Sequence, residues 1–411
     1  MLPLNPPSPN AWSPARAVPS AALVLAGVLA LAGCSTFAAA TPAPPRAPVC
    51  AVPRAADVVP PDGILLGVNL DWGRQTLAEY AGAIGRGPAV AVHFSDVPLS
   101  PADVTDVVAA GEQVRADGGV LLLTLEPTDG LAAVTPDVVD DVVDLLSSIN
   151  RTGVPVVLRF AHEMNGSWYT WGQQPAAFVA TFRALAVAVR AGAPGTAMMW
   201  APNYGGGYPF TGGPSAAVAG SADHAALDSD GDGVLTLADD PYAPYYPGDD
   251  VVDWVGMSLY HWGSAHPWGE NELPEPGKFA AQLTGTYVGD GGDDTALPDF
   301  YSVYGVEHGK PVAVPETAAL VVPGDDLTAP AELAIKQAWW RQVLSPQTAE
   351  QFPQLRMVNW FEWDKHEPEI GATVRWSVAG DPVTRDAFVA DLPAWARFAE
   401  PPAPCRVADD A

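Results

Sequence analysis

From residue 64 onward the chain alternates two patterns of apolar positions. Short runs rich in Val, Leu, Ile and Ala, too continuous for strands with one wet face, read as strands buried on both sides. Eight are found: Ile64 to Trp72, Ala89 to Val97, Gly119 to Pro127, Pro155 to Asn165, Thr196 to Asn203, Val252 to Gly263, Pro311 to Ala318 and Met357 to Lys365. Between them apolar residues recur at i, i+3 and i+4, as in Pro136 to Arg151, Pro175 to Arg190, Pro330 to Val343 and Thr384 to Phe398. Several of these segments open on proline, which suits the first helical position. Eight strand–helix alternations over about 340 residues predict an α/β fold, a single (β/α)8 TIM barrel with insertions, rather than an open doubly wound sheet with fewer strands.

The same pattern shows where chemistry can sit. Polar and aromatic residues gather at the C-terminal end of nearly every run: Asn69-Leu70-Asp71-Trp72, His93-Phe94, Glu126-Pro127, His162-Glu163-Met164-Asn165, Trp200-Ala201-Pro202-Asn203, Tyr260-His261-Trp262, Glu316, and Trp360-Phe361-Glu362-Trp363. Buried separately, each would need its own hydrogen-bond partners; one shared wet cleft at the top of the barrel explains them together.

Before the barrel, the apolar run Ala21 to Gly33 follows a stretch whose only basic residue is Arg16. Thirteen residues are too few to span a bilayer, so it reads as an export signal. It ends in Leu31-Ala32-Gly33-Cys34, which resembles the bacterial lipobox and implies lipidation of Cys34 and a membrane-anchored, cell-surface protein. An ordinary cleaved signal is the alternative. The remaining cysteines, Cys50 and Cys405, stand near the two ends of the mature chain, and in an oxidising compartment they are expected to pair, with two free thiols as the alternative. The expected segmentation is a signal peptide over 1–33, a flexible Ala/Pro/Thr tether over 34–60, the barrel over 61–400 with an insertion at 204–250, and a tail over 401–411.

Charge narrows the partners. Lys and Arg total 20 against 48 Asp and Glu, a formal charge of -28, which disfavours nucleic acid and suits a neutral substrate. A monomer is expected.

Two glutamates carry the candidate chemistry. Hydrolysis of a glycosidic bond needs one carboxylic acid that holds its proton for the leaving oxygen and a second carboxylate that attacks or activates water. Glu163 ends the fourth run within Arg159-Phe160-Ala161-His162-Glu163-Met164-Asn165-Gly166-Ser167-Trp168-Tyr169-Thr170-Trp171-Gly172. Strand alternation would send Arg159, Ala161 and Glu163 to one side. Glu316 ends the seventh run, in Val312-Ala313-Val314-Pro315-Glu316-Thr317-Ala318.

The first stretch, R-x-x-H-E-M-N-G-x-W-x-x-W-G, resembles the acid/base motif of glycoside hydrolase family 26, mainly β-mannanases. The resemblance implies Glu163 as acid/base, His162 beside it, Arg159 supporting the site and Trp168 as a sugar-stacking platform. It further implies Glu316 as nucleophile, Tyr260 as its hydrogen-bond partner and Trp360 as the floor of the sugar subsite next to the cleavage point. A retaining endo-β-1,4-mannanase acting on β-linked polysaccharide is the expected activity. The nucleophile context, Pro-Glu-Thr-Ala, lacks the glycine that many members carry two residues after the glutamate, so a β-1,3/1,4-glucanase, a β-1,3-xylanase and a non-catalytic glycan-binding barrel stay open.

Tryptophans 72, 168, 171, 200, 254, 262, 268, 360 and 363 lie on or just past strand ends, and their flat faces suit the CH faces of pyranose rings, although some of them will only pack. The connection between the fifth and sixth runs is roughly 50 residues long, well above the usual loop length. It contains Asp228-Ser229-Asp230-Gly231-Asp232-Gly233-Val234-Leu235-Thr236-Leu237-Ala238-Asp239, which resembles an EF-hand loop. Asp228, Asp230 and Asp232, the Val234 carbonyl, Thr236 and Asp239 would offer oxygen ligands, so structural calcium is expected.

Overall fold

In the computed structural model of the protein, which describes residues 50–263, 268–324, 327–368, 370–402 and 405, all eight apolar runs contain strands. They are β1 (Ile64–Leu70), β2 (Val90–Asp96), β3 (Val120–Glu126), β4 (Val156–Phe160), β5 (Thr196–Trp200), β6 (Trp254–Gly256), β7 (Val312–Thr317) and β8 (Leu355–Glu362). Each pairs in parallel with its neighbour, and β8 returns to β1 through pairs such as Leu66↔Val358, so the sheet closes as a (β/α)8 barrel.

Alternation along each strand divides the core in two. On β3, Leu121, Leu123 and Leu125 pack outward with helix residues such as Val107 and Leu146, while Leu122 joins Val92, Val157, Met199 and Met357 in the barrel interior. Four of the helices are α1 (Leu77–Ile84), α2 (Pro101–Asp117), α3 (Pro136–Arg151) and α4 (Pro175–Gly192). Caps set their starts: Ser100 and Asp103 form a capping box on α2, and the Thr135 hydroxyl accepts from the Val138 N–H on α3. The short α5 (Ala222–Leu227) and α6 (Lys278–Leu283) precede α7 (Ala329–Val343), α8 (Pro346–Gln351) and α9 (Pro382–Asp391).

Three boundaries differ from expectation. Helix α9 ends at Asp391 rather than Phe398, because Pro393 cannot continue it, and Ala396–Arg397 instead pairs alongside β1. Strand β6 is three residues long. Its partner strand bulges at Pro315 and Glu316, so the ladder skips from Met257 N–H on the Ala313 carbonyl to Leu259 N–H on the Glu316 carbonyl. The stretch expected as tether is folded from Cys50 on: Val58 is buried against the strand starts and the Ala55 N–H donates to the Pro194 carbonyl. Cys50 and Cys405 are joined in a disulfide, which ties the expected tail back to the domain. The expected signal and Cys34 lie outside the described residues.

Candidate active site

Strand β4 stops at Phe160, so alternation is not what places Glu163. Ala161 and Glu163 take left-handed backbone conformations, φ 47° and 54°, on either side of His162. For residues with a Cβ such conformations cost on the order of 1–2 kcal/mol each. The turn is held by the Ala161 N–H on the Leu125 carbonyl and the Glu163 N–H on the Ala201 carbonyl, and by the Trp171 indole donating to the His162 carbonyl. Asn165 then clamps the next loop, donating to the Asn203 carbonyl while its own carbonyl accepts from the Asn203 N–H, both at 2.8 Å.

Glu316 is aimed by a different device. On β7 Ala313 faces the interior and Val314 the helices, so strict alternation would turn residue 316 outward. The register of β7 against β8 slips between Val314↔Val358 and Thr317↔Trp360, a bulge at Pro315 and Glu316. That extra residue reverses the parity. Thr317 now faces α7, accepting from the Trp339 indole at 2.9 Å, and Glu316 faces into the barrel.

There the Glu316 carboxylate is held from both sides. Arg159, fully buried, donates to its Oε1 at 2.5 Å and to the Thr124 hydroxyl at 2.9 Å, and the Tyr260 hydroxyl donates to its Oε2 at 2.7 Å. Burial works to raise the Glu316 carboxyl, but the Arg159 charge and these hydrogen bonds override it and hold it below the usual carboxylate value. Glu163 is driven the other way. Burial, reinforced by the negative charge of Glu316, pushes it up to about 7, and the Trp168 indole donates to its Oε2 at 3.2 Å. One carboxyl keeps its proton near neutrality beside another kept ionised. His162 is pushed down to about 3 by burial and by Arg159, so its imidazole is neutral, standing edge-on to Phe94.

The structure thus brings together Arg159, His162, Glu163, Trp168, Tyr260 and Glu316. Trp168 is half-buried over Gly166, where a Cβ would come within 2.3 Å of the ring, so glycine there makes room for the indole. Trp360 does not join them. It faces outward, 2% exposed, between Trp340 of α7 and Phe388 of α9, and its indole donates to the Trp376 carbonyl. Met357, Asn359 and Phe361 have the opposite parity on β8, and the half-exposed Trp363 stacks on Phe361 at 5.6 Å, edge-on to Phe94. Of the other strand-end tryptophans, Trp171, Trp200 and Trp254 are buried, while Trp72, Trp262, Trp268 and Trp363 keep partial exposure.

The sequence places Glu126 among the strand-end polar residues without a specific role and leaves Thr124 unmarked, and the two share the inward face of β3. The available signal was parity: Leu122, Thr124 and Glu126 alternate with three leucines.

In the insertion, the carboxylates of Asp228, Asp230 and Asp232 offer ligand atoms within 4.8 Å of one another, and Asp228 Oδ1 is buried without a partner, a donor set that fits a hard divalent cation. Asp239, buried, accepts from the Ser229 and Thr236 N–H groups at 2.7 and 2.8 Å and closes the loop on itself. Val234 donates its N–H to Asp232, and the Thr236 hydroxyl accepts from Ala238.

Residues 113–188, which contain Arg159, His162, Glu163 and Trp168, match the sequence model of glycosyl hydrolase family 26. The fold is similar to a modular endo-β-1,4-mannanase from Cellulomonas fimi, with a TM-score of 0.53 and 18% identity over 84% of this chain and 75% of that one. A double mutant of a Cellulomonas fimi endo-β-1,4-mannanase gives a TM-score of 0.52 and 20% identity, covering 82% of this chain and 72% of that one. At such identities the likeness establishes the barrel. Endoglucanase H of Acetivibrio thermocellus is 25% identical over 170 residues, 38% of this chain, and the chain spans only 15% of that protein. The family match and the paired carboxyls support one coarse reading, a glycosidase.

Proposed function

We propose that this chain is a retaining glycoside hydrolase of family 26 that cleaves internal β-1,4 bonds of mannan. The observation that carries it is the opposite tuning of two facing carboxyls, Glu316 held ionised by Arg159 and Tyr260, and Glu163 held protonated by burial.

In the first step a Glu316 oxygen bonds to the anomeric carbon as the glycosidic C–O bond breaks, and the Glu163 proton passes to the leaving sugar oxygen. In the second, the Glu163 carboxylate takes a proton from water, the water oxygen bonds to the anomeric carbon, and the bond to Glu316 breaks. Tyr260 and Arg159 stabilise the carboxylate charge that Glu316 carries before it attacks, a charge that is lost as its bond to the anomeric carbon forms and is restored when it departs. Trp168 and Trp363 offer flat faces to the sugar rings.

The mannan assignment is supported by the two mannanases of like fold. A glucan reading has its own support in the likeness to an endoglucanase. Release of reducing sugar from mannan, glucomannan, lichenan, laminarin and β-1,3-xylan separates them. Preference for mannan and glucomannan is expected, and activity confined to lichenan or laminarin would replace mannan by glucan. A protein that binds these glycans and cleaves none would be the non-catalytic barrel.

Two further parts of the reading concern the chain outside the site. Calcium held by Asp228, Asp230 and Asp232 would stiffen the β5–β6 insertion, supplying charge neutralisation but no chemistry. Chelation should lower Tm by several degrees and speed proteolysis within residues 205–250, with calcium restoring both; an unchanged Tm and cleavage pattern would remove the ion from the account. Export with lipidation at Cys34 fits the Cys50–Cys405 disulfide, which belongs to an oxidising compartment. Fractionation of cells making the full chain should place it with membranes and a Cys34→Ser variant in the soluble fraction, whereas equal partition of the two would leave the anchor without support.

A further inference from the structure

A third carboxyl stands in the catalytic cluster and the mechanism above does not use it. Glu126 ends β3, 1% exposed, on the inward face two residues beyond Thr124, the residue that positions Arg159. Its Oε2 is buried with no hydrogen-bond partner, and so is Nη1 of Arg159. The charged and titratable groups around it come from several strands: Asp96 from β2, Arg159 from β4 with His162 and Glu163 from its loop, Tyr169 beyond them, and Glu316 from β7.

Charge balance in this cluster is tight. Among the described residues, Arg159 is the cation acting on all three glutamates, and His162 is neutral, burial and the Arg159 charge pushing it down to about 3. One buried guanidinium compensates one carboxylate; a second or third anion in the same low-dielectric space has no partner. A Glu126 anion would compete with Glu316 for the Arg159 charge and weaken the grip on the nucleophile.

Resting on the reading of Glu316 as nucleophile, we propose that Glu126 is a positioning residue that works as its neutral acid, occupying space beside Arg159 while leaving the whole of that charge to Glu316. Burial, then the negative charge of Asp96, pushes its carboxyl up to about 8, above that of Glu163. At pH 6 two of the three glutamates are therefore protonated, and Glu316 alone among them is ionised against the guanidinium.

The experiment compares wild type, Glu126→Gln, Glu126→Ala and Asp96→Asn in kcat/KM from pH 5 to 9.5, on the glycan of the above panel that wild type cleaves best. Glutamine, permanently neutral and of the same shape, should keep kcat/KM at pH 6 within about threefold of wild type, and alanine should fall about tenfold or more. The alkaline limb should lose two protons in wild type but one in Glu126→Gln, and Asp96→Asn should move the second ionisation to lower pH. Infrared difference spectra give a second reading that needs no activity. On a Glu163→Gln background at pH 7, the C=O band of a protonated carboxyl should shrink when Glu126→Gln is added. Superimposable alkaline limbs in wild type and Glu126→Gln, a glutamine variant as impaired as alanine, or an unchanged carboxyl band would each overturn the proposal. Wild type inactive on every glycan would overturn the glycosidase reading instead, and the infrared result would still stand.

Discussion

Glu316→Ala is expected to lower kcat by at least ~10⁴-fold on every glycan that wild type cleaves, since among the three clustered glutamates Glu316 is the one held ionised. The same substitution strands Arg159, fully buried, without its anionic partner, a loss of about 3–5 kcal/mol in pairs of this kind. Activity and stability would then fall together, and the alanine variant alone could not separate chemistry from folding. Glu316→Gln separates them: the amide oxygen still accepts from Tyr260 or Arg159, Tm falls less, and the nucleophile is still gone. Azide supplied to the folded Glu316→Ala enzyme, with an activated aryl glycoside, should enter the vacated space and give a glycosyl azide of inverted configuration. More than a few per cent of wild-type activity in Glu316→Gln would remove Glu316 from the role of nucleophile.

The second large effect belongs to Glu163. Its carboxyl must be protonated for the first step, and burial has raised it to about 7, so kcat/KM should fall as pH rises through that value. Glu163→Gln should cost about 10²–10⁴-fold on polysaccharide and flatten this part of the alkaline limb. An aryl glycoside with a good leaving group, which needs little protonation, should lose far less. An equal loss on both substrates would mean that Glu163 is not the acid.

The same shift predicts a stability slope. An acid whose folded value lies above its unfolded one binds its proton more firmly in the folded state, so its contribution is complete below the ordinary carboxyl range near 4.3 and is lost as pH rises toward 7. Glu163, Glu126 and Glu362 are all raised, to about 7, 8 and 7, each first by burial, so the slope should add over three groups between roughly pH 4.5 and 8. Glu362 takes no part in the cleft. Its carboxylate accepts from the Val378 and Ala379 N–H groups and holds the loop after β8.

Much of the molecule was legible in the order of its residues. Continuous apolar runs and helical periodicity disclosed eight strands and their helices, because burial on both faces of a parallel sheet leaves no room for polar residues until the strands emerge at the top. Where they emerge, Glu163 and Glu316 stand among aromatic residues, and the motif around Glu163 suggested its partners. Side-chain direction was another matter. Glu316 reaches the cleft through a bulge that reverses strand parity, and Glu163 through two left-handed residues, neither of which follows from period-two counting. Trp360 went to the helix layer, where the spaces between Trp340 and Phe388 could receive an indole, and Trp363 took the exposed position. The partition of protons among three glutamates and one arginine depends on distances across three strands, β3, β4 and β7, and through-space charge is set by the closed barrel alone.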